Sequence, residues 1–281
     1  MQKRVAAIHD ISCFGKCSLT VALPILSAAG IETSVIPTAV LSTHTGGFTG
    51  FTYRDLTDDI LPIVSHWQTL PIAFDALYTG FLGSFEQIDL MIEVFRRLKA
   101  KDTLILVDPV MADHGQLYKI FPSDFPQGMR KLCAVADCIV PNMTEAALLL
   151  GEPYTEGPYT QEYIKDLLKR LAALGPKRVV LTGIYFEQTR LGAATYDART
   201  GQVDFLFGNR IEGMYHGTGD VFASALLSGL LHDMTLSDAT QLAVDFTVGS
   251  IARTKAANTD IRFGVNFEEG IPMLLTRLGL K

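Results

Sequence analysis

Cysteine is scarce in this chain. Its four residues, Cys13, Cys17, Cys133 and Cys138, are spaced C-x₃-C and C-x₄-C with no histidine at a zinc-like distance. That pattern supports neither a disulfide framework nor a structural zinc site. Free thiols are expected, and Cys13 and Cys17 read as small buried hydrophobes rather than reactive groups. Charge is scarce too: 19% of residues are charged, the formal net charge is −6, and Lys and Arg never cluster in a run. A nucleic-acid-binding surface is thereby excluded. No apolar stretch reaches membrane-spanning length without a polar interruption. The opening Met-Gln-Lys-Arg-Val-Ala-Ala-Ile-His-Asp is too short in apolar residues for a signal peptide. A soluble, cytoplasmic protein is expected. Linkers, low-complexity tracts and internal repeats are also missing, which favours one domain over residues 1–281.

What is present is a large apolar fraction, 48%, distributed in short runs. Val5 to Ile8, Thr33 to Leu41, Phe74 to Thr79, Thr103 to Val107, Cys138 to Val140 and Lys177 to Thr182 read as strands. Helical segments lie between them, at Ser18 to Ala29, Asp55 to Trp67, Ser84 to Lys99 and Thr160 to Leu174. Pro24 predicts a kink or a late start in the first of these. Leu191 to Tyr196 and Val203 to Phe207 read as an antiparallel pair around Thr200-Gly201. Two helices should follow Gly217, and a last one should cover Glu268 to Leu278. Continuous apolar strands alternating with helices imply a mostly parallel sheet covered on both faces.

The most informative segment is His216-Gly217-Thr218-Gly219-Asp220, which opens into the apolar run Val221 to Leu231. Glycines there let the backbone turn sharply and approach a ligand. The free N–H groups of the helix that follows form an anion site. A carboxylate beside an anion site would repel its ligand, unless Asp220 takes a proton from a hydroxyl attacking phosphorus. The alternative is a tight turn with a helix-capping Asp.

Other residues of chemical interest gather at predicted strand ends, where ligands bind in such sheets. They are Asp10, Thr45, Phe81, Asp108, Asn142, Thr182 and the Gly217 turn. Asp108-Pro109-Val110-Met111-Ala112-Asp113 sets two carboxylates on a proline-stiffened loop. Asn142 and Glu145 open a helix, where they suit either a capping box or a metal-bound water. Oxygen-only groups of this kind suit Mg²⁺. Ser42-Thr43-His44-Thr45-Gly46-Gly47-Phe48 is a polar loop with donors for a small ligand, or a solvated connection. Asp10 ends the first strand and must be paired, hydrated or facing a ligand.

Five segments, in this order, resemble the pyridoxal kinase branch of the ribokinase-like superfamily. They are Ser42-Thr43-His44-Thr45-Gly46, Tyr78-Thr79-Gly80-Phe81-Leu82-Gly83-Ser84, Asp108-Pro109-Val110-Met111, Pro141-Asn142-Met143-Thr144-Glu145 and Gly217-Thr218-Gly219-Asp220. The resemblance implies a three-layer α/β/α sandwich and ATP-dependent phosphorylation of the 5′-hydroxymethyl group of a vitamin B6 vitamer. It implies that Asp220 is the base and that the N–H groups of Gly217, Thr218 and Gly219 hold the phosphoryl oxygens. Asn142, Glu145 and Thr182 would lie by the ATP phosphates, with Asp108, Asp113 and Glu145 organising Mg²⁺. Asp10, His44, Thr45 and Phe81 would line the vitamer site, Thr45 at the ring hydroxyl and Phe81 against the ring. A homodimer and a monovalent cation such as K⁺ are further implications.

Where relatives offer a serine to the pyridine nitrogen, this chain has Asp10. A carboxylate can only accept a hydrogen bond, so a protonated ring, and pyridoxamine in particular, is the expected preference. The rival readings are a hydroxymethylpyrimidine kinase of thiamine synthesis, a sugar kinase of the same superfamily, and a non-catalytic ligand-binding relative. A binding protein would have no use for a base beside an anion hole.

Overall fold

The computed structural model describes residues 2–280. Strand and helix alternate through its first half: β1 (Arg4–Ser12), α1 (Leu19–Ala28), β2 (Glu32–Leu41), β3 (Tyr53–Asp55), α2 (Thr57–Trp67), β4 (Ala76–Thr79), α3 (Phe85–Leu98) and β5 (Leu104–Val107). A small hairpin, β6 (Ala112–Asp113) and β7 (Gln116–Leu117), precedes α4 (Phe125–Ala134), β8 (Cys138–Ile139), α5 (Met143–Leu150) and α6 (Gln161–Ala172). Then come β9 (Arg178–Ile184), β10 (Arg190–Asp197), β11 (Gln202–Asn209), α7 (Thr218–Leu231), α8 (Leu236–Ala257) and α9 (Ile271–Arg277).

The main sheet has nine strands in the order β11-β10-β9-β8-β5-β4-β1-β2-β3. The six from β9 to β2 in that order are parallel, and the edges are antiparallel. Alternation along the strands feeds two cores. Ile8, Leu77, Ile105, Ile139 and Leu181 meet Ile60, Met91, Met129, Ala146 and Leu167 on one face. Val5, Tyr78, Leu106, Cys138 and Val180 meet Ile25, Leu226 and Leu242 on the other. Burial on both faces explains why β4 and β5 show no polar alternation. The result is the expected α/β/α sandwich. Among the described residues no helix is long and apolar enough to cross a membrane.

Several elements differ from the sequence expectations in extent. Helix α1 starts at Leu19 and continues through Pro24, with no late start. Pro24, in the middle of this ten-residue helix, removes one intrahelical bond, and Ile25 and Leu26 beyond it are fully buried and hold the turn in place. Helix α2 starts at Thr57 rather than Asp55, because Tyr53–Asp55 pairs with Ala39–Leu41 and Asp55 Oδ1 accepts the Thr57 N–H at 2.7 Å. The last segment opens as a 3₁₀ turn, Glu268–Gly270, before α9 with Pro272 in its first turn. Helix α4 was hidden behind Pro126 and Gly128.

Ser84 caps α3 as its sequence position suggests, accepting the Gln87 N–H at 3.1 Å. Ser84→Ala should therefore lower stability by about 1 kcal/mol, read as an earlier urea midpoint. Ser84→Asp should keep the wild-type midpoint.

Candidate active site

The chain leaves β1 for β2 on one side and later returns to β4 on its other side. A crevice opens where such a sheet reverses, beyond the carboxyl ends of its strands. Asp10 lies near the end of β1, where the pairing with β2 shifts register. Phe81 follows β4, Asp108 follows β5 directly, and Asn142 follows β8. Asn142 bridges to Thr182 in β9, so those two predicted residues are neighbours. The sites expected from sequence thus share one edge of the sheet.

Helix α7 enters that edge end-on. Gly217, its N-cap, has φ 75° and ψ 3°, and a Cβ there would strike the Lys16 carbonyl oxygen. Only glycine fits both demands. The first bond within the helix runs from Val221 N–H to Gly217 O at 3.0 Å. The N–H groups of Thr218 and Gly219 come before it, at the positive end of the dipole. Asp220 sits in the same first turn and is partly accessible. Burial raises its carboxyl to about 7, Asp10 pushes it the same way, and the Ser18 and Asp220 N–H groups oppose the shift.

Asp220 belongs to a group of carboxylates. Asp10, Asp108 and Glu145 are all buried. Burial raises each of them: Glu145 to about 8, Asp108 with the added push of Glu145 and Asp220, and Asp10 against the pull of Ser18 and Ser12. Among the described residues none of the four forms an ion pair. Buried negative charge without a cationic partner either takes up protons or waits for a cation.

Asn142 and Glu145 form a reciprocal capping box on α5. Glu145 accepts N–H groups from Asn142 at 2.8 Å and Met111 at 3.1 Å, while the Asn142 amide donates to Ala112 O at 2.9 Å. Their side chains therefore fix the loop between β5 and β6. Asp113 is exposed on the β6–β7 hairpin beside His114. No three His, Cys, Asp or Glu side chains among the described residues converge into a metal cage. An oxygen-only, unpaired donor set without a cage fits Mg²⁺ that keeps its waters and is shared with phosphates.

The wall across from α7 is made of loops. His44 is buried; its Nδ1 accepts the Gly46 N–H at 3.1 Å and its Nε2 lies 2.6 Å from Arg262 O. That pairing requires the neutral Nε2–H form, and burial depresses the imidazole accordingly. His44 thus fastens the 42–50 loop to the turn at Ile261–Phe263, while Thr45 is exposed on that loop. Phe14 packs edge-on to Phe48 and Phe263, with ring centroids 6.3 and 5.0 Å apart. Phe81 is half-buried, 5.7 Å from Phe121.

The sequence expectation for two cysteines is corrected. Cys13 is exposed and Cys17 half-buried, and all four thiols are free. Burial raises the Cys17 thiol, and the charges of Asp220 and Asp10 push it the same way. The tight 13–18 loop sets this arrangement, and no residue spacing announced it. Ser18 and the Ile261–Phe263 turn were missed for the same reason: they come to the site through tertiary contacts.

Raised carboxyls carry a stability signature. For Asp220 the unfolded value is 3.8 and the folded value about 7. The unfolded chain then holds fewer protons between these values, so stability contributed here falls as pH rises through that window. Asp220→Asn should melt at a higher temperature than wild type above pH 7, and the difference should vanish near pH 4. A gap independent of pH would contradict the raised carboxyl.

Known proteins share this chain's sequence pattern and fold. The sequence model of the phosphomethylpyrimidine kinase family matches residues 25–264. A Bacteroides thetaiotaomicron protein assigned as a phosphomethylpyrimidine kinase, solved in a crystal form with pyridoxal, superposes with a TM-score of 0.93 and 36% identity over 98% of this chain and 96% of its own. The pyridoxal kinase of Lactobacillus plantarum superposes with a TM-score of 0.88 and 32% identity over 98% and 97%. A pyridoxine/pyridoxal/pyridoxamine kinase of Bordetella avium is 27% identical, over 91% of this chain and 86% of its own. With strand-end carboxylates, the Gly217 turn and these similarities together, the chain belongs to the phosphomethylpyrimidine kinase family and, within the ribokinase-like superfamily, to its pyridoxal kinases.

Proposed function

We propose that this protein is an ATP-dependent kinase that phosphorylates the 5′-hydroxymethyl group of a vitamin B6 vitamer, acting as one catalytic domain over residues 1–281. The observation that carries the reading is Asp220 in the first turn of α7, beside the Thr218 and Gly219 amides, with a carboxyl raised to about 7. A general base works best when its pKa lies near the working pH. Asp220 accepts the hydroxymethyl proton as that oxygen bonds to the γ-phosphorus, and the bond from phosphorus to the β-bridging oxygen breaks to release ADP. The Gly217–Gly219 amides hold the transferring phosphoryl oxygens. Asn142, Thr182 and Glu145 shape the neighbouring strand ends where the triphosphate lies. Asp108 would hold Mg²⁺, with Glu145 and Asp113 reaching its waters. The ion supplies positive charge against the phosphates and the buried carboxylates.

The vitamer lies between β1 and the loop wall, with Phe81 against the ring and Thr45 near the ring hydroxyl, while His44 holds the loop. The neighbour crystallised with pyridoxal supports this over a hydroxymethylpyrimidine substrate. A cytoplasmic homodimer completes the reading, on family resemblance.

ADP release measured with pyridoxal, pyridoxamine, pyridoxine, hydroxymethylpyrimidine and ribose tests the assignment. Turnover should be confined to the vitamers, and Asp220→Asn should lower it by about 10²–10⁴-fold. Near wild-type turnover in that variant would reduce Asp220 to a helix cap.

Asp10 sets the second test. Its Oδ2 accepts from Ser12 at 3.1 Å, and its Oδ1 is buried without a protein partner. We place Oδ1 at the ring nitrogen, the two sharing one proton. Pyridoxamine should then be preferred, and Asp10→Ser should move the preference toward pyridoxal and flatten the pH dependence of kcat/KM. Identical selectivity and pH profile in both proteins would remove Asp10 from the ring nitrogen.

A further inference from the structure

His216 opens the segment that ends in Asp220, but its side chain has no part in the transfer step. The imidazole lies over the 42–50 loop, its ring centroid 5.0 Å from that of His44 and the planes tilted by 41°. A Cβ added at Gly46 would lie 2.6 Å from its Nδ1 and Cε1, and one at Gly47 would lie 3.7 Å from its Nε2. Two successive glycines thus leave the space that the ring fills. His44 cannot yield, since Gly46 N–H and Arg262 O engage its two nitrogens, 3.1 and 2.6 Å away. Unlike His44, the His216 imidazole makes no hydrogen bond among the described residues. It is half-buried, so part of it stays accessible. Burial and His44 lower it against the pull of Asp113, so near pH 7 it is neutral, with one donor and one acceptor.

A short path therefore runs from Thr45 and Gly46 across to His216, and on through Gly217 to Asp220. On a vitamin B6 ring the hydroxyl, the variable substituent and the 5′-hydroxymethyl group occupy three successive carbons. With the ring hydroxyl near Thr45 and the hydroxymethyl oxygen at Asp220, the middle carbon faces whatever lies between those residues. That is His216. The substituent on this carbon is an aldehyde in pyridoxal, an aminomethyl group in pyridoxamine and a hydroxymethyl group in pyridoxine, and the three differ nowhere else. A neutral imidazole can meet each of them, donating to the aldehyde oxygen, accepting from the ammonium, or doing either with the alcohol. The ammonium is charged, so its hydrogen bond is the strongest of the three.

We propose that His216 is a specificity-determining residue that hydrogen-bonds the 4-substituent of the vitamer, the group that distinguishes one vitamer from another. His44 and the two glycines hold its ring at that station. Asp10 acts on the ring nitrogen, which the vitamers share; His216 acts where they differ. This inference rests on the kinase reading above.

His216→Leu in the full chain tests it, assayed with ATP and four rings. These are pyridoxamine, pyridoxal, pyridoxine and 4-deoxypyridoxine, whose 4-substituent is a plain methyl group. In the variant kcat/KM should fall about tenfold or more for pyridoxamine, and about threefold for pyridoxal and pyridoxine. For 4-deoxypyridoxine it should stay within about twofold, because no hydrogen bond is there to lose. The KM for ATP should not move. His216→Gln, whose amide both donates and accepts, should restore most of the pyridoxamine rate. His216→Ala serves if the leucine variant does not fold, with the same ranking expected. An equal proportional loss on all four rings, or no loss on any, overturns the inference and leaves the kinase reading standing. A wild-type protein that turns over none of the four overturns the kinase reading, and this inference with it.

Discussion

Four carboxylates without a cationic partner, three of them buried and the fourth partly so, are the constraint on which the rest of this structure depends. Asp10, Asp108, Glu145 and Asp220 come from four different segments, so no local propensity gathers them. The sheet does, by ending its parallel strands on one edge, and the helices on both faces contribute the stability that tolerates them. Proteins rarely bury like charges together unless the site is completed by something positive or by protons. Under the proposed phosphoryl transfer both completions would be supplied: a proton from the substrate hydroxyl, and a metal ion held with the nucleotide.

Division of labour within that group follows from what else each carboxylate touches. Glu145 already accepts two backbone N–H groups and closes a capping box; its first duty is to hold a loop. Asp108 has no such engagement and is the better candidate for direct contact with an ion. Asp10 keeps one oxygen occupied by Ser12 and the other unpartnered, which suits a specificity contact. Asp220 stands in the first turn of α7, after a glycine N-cap and without the capping box that occupies Glu145.

Much of this was legible in the sequence. Apolar runs with little alternation pointed to strands buried on both faces, and the two cores bear that out. Ser84 and Asn142 were readable as caps because capping chemistry is local and belongs to a few residue types. What could not be read was set by distant contacts. Strand β3 exists because Tyr53–Asp55 lies against β2, and nothing in three residues marks it. Cys13 is exposed although free cysteine is among the most buried residue types, since its loop crosses the rim of the crevice. The register shift beside Asp10 likewise depends on a partner strand that begins beyond the intervening helix α1.

The contact between Gly217 and Lys16 has a mechanical consequence. The phosphate end of the crevice and the 13–18 loop of its other end meet backbone to backbone there, with no side chain between to deform. The same loop is tied at its far side by Lys16 N–H to Phe263 O at 3.0 Å and by Phe14 N–H to Ser42 O at 3.1 Å. Loop and helix end therefore form a hard stop: held on its far side by these bonds, the 13–18 loop cannot press further into the first turn of α7, and one cannot shift toward the other without backbone displacement.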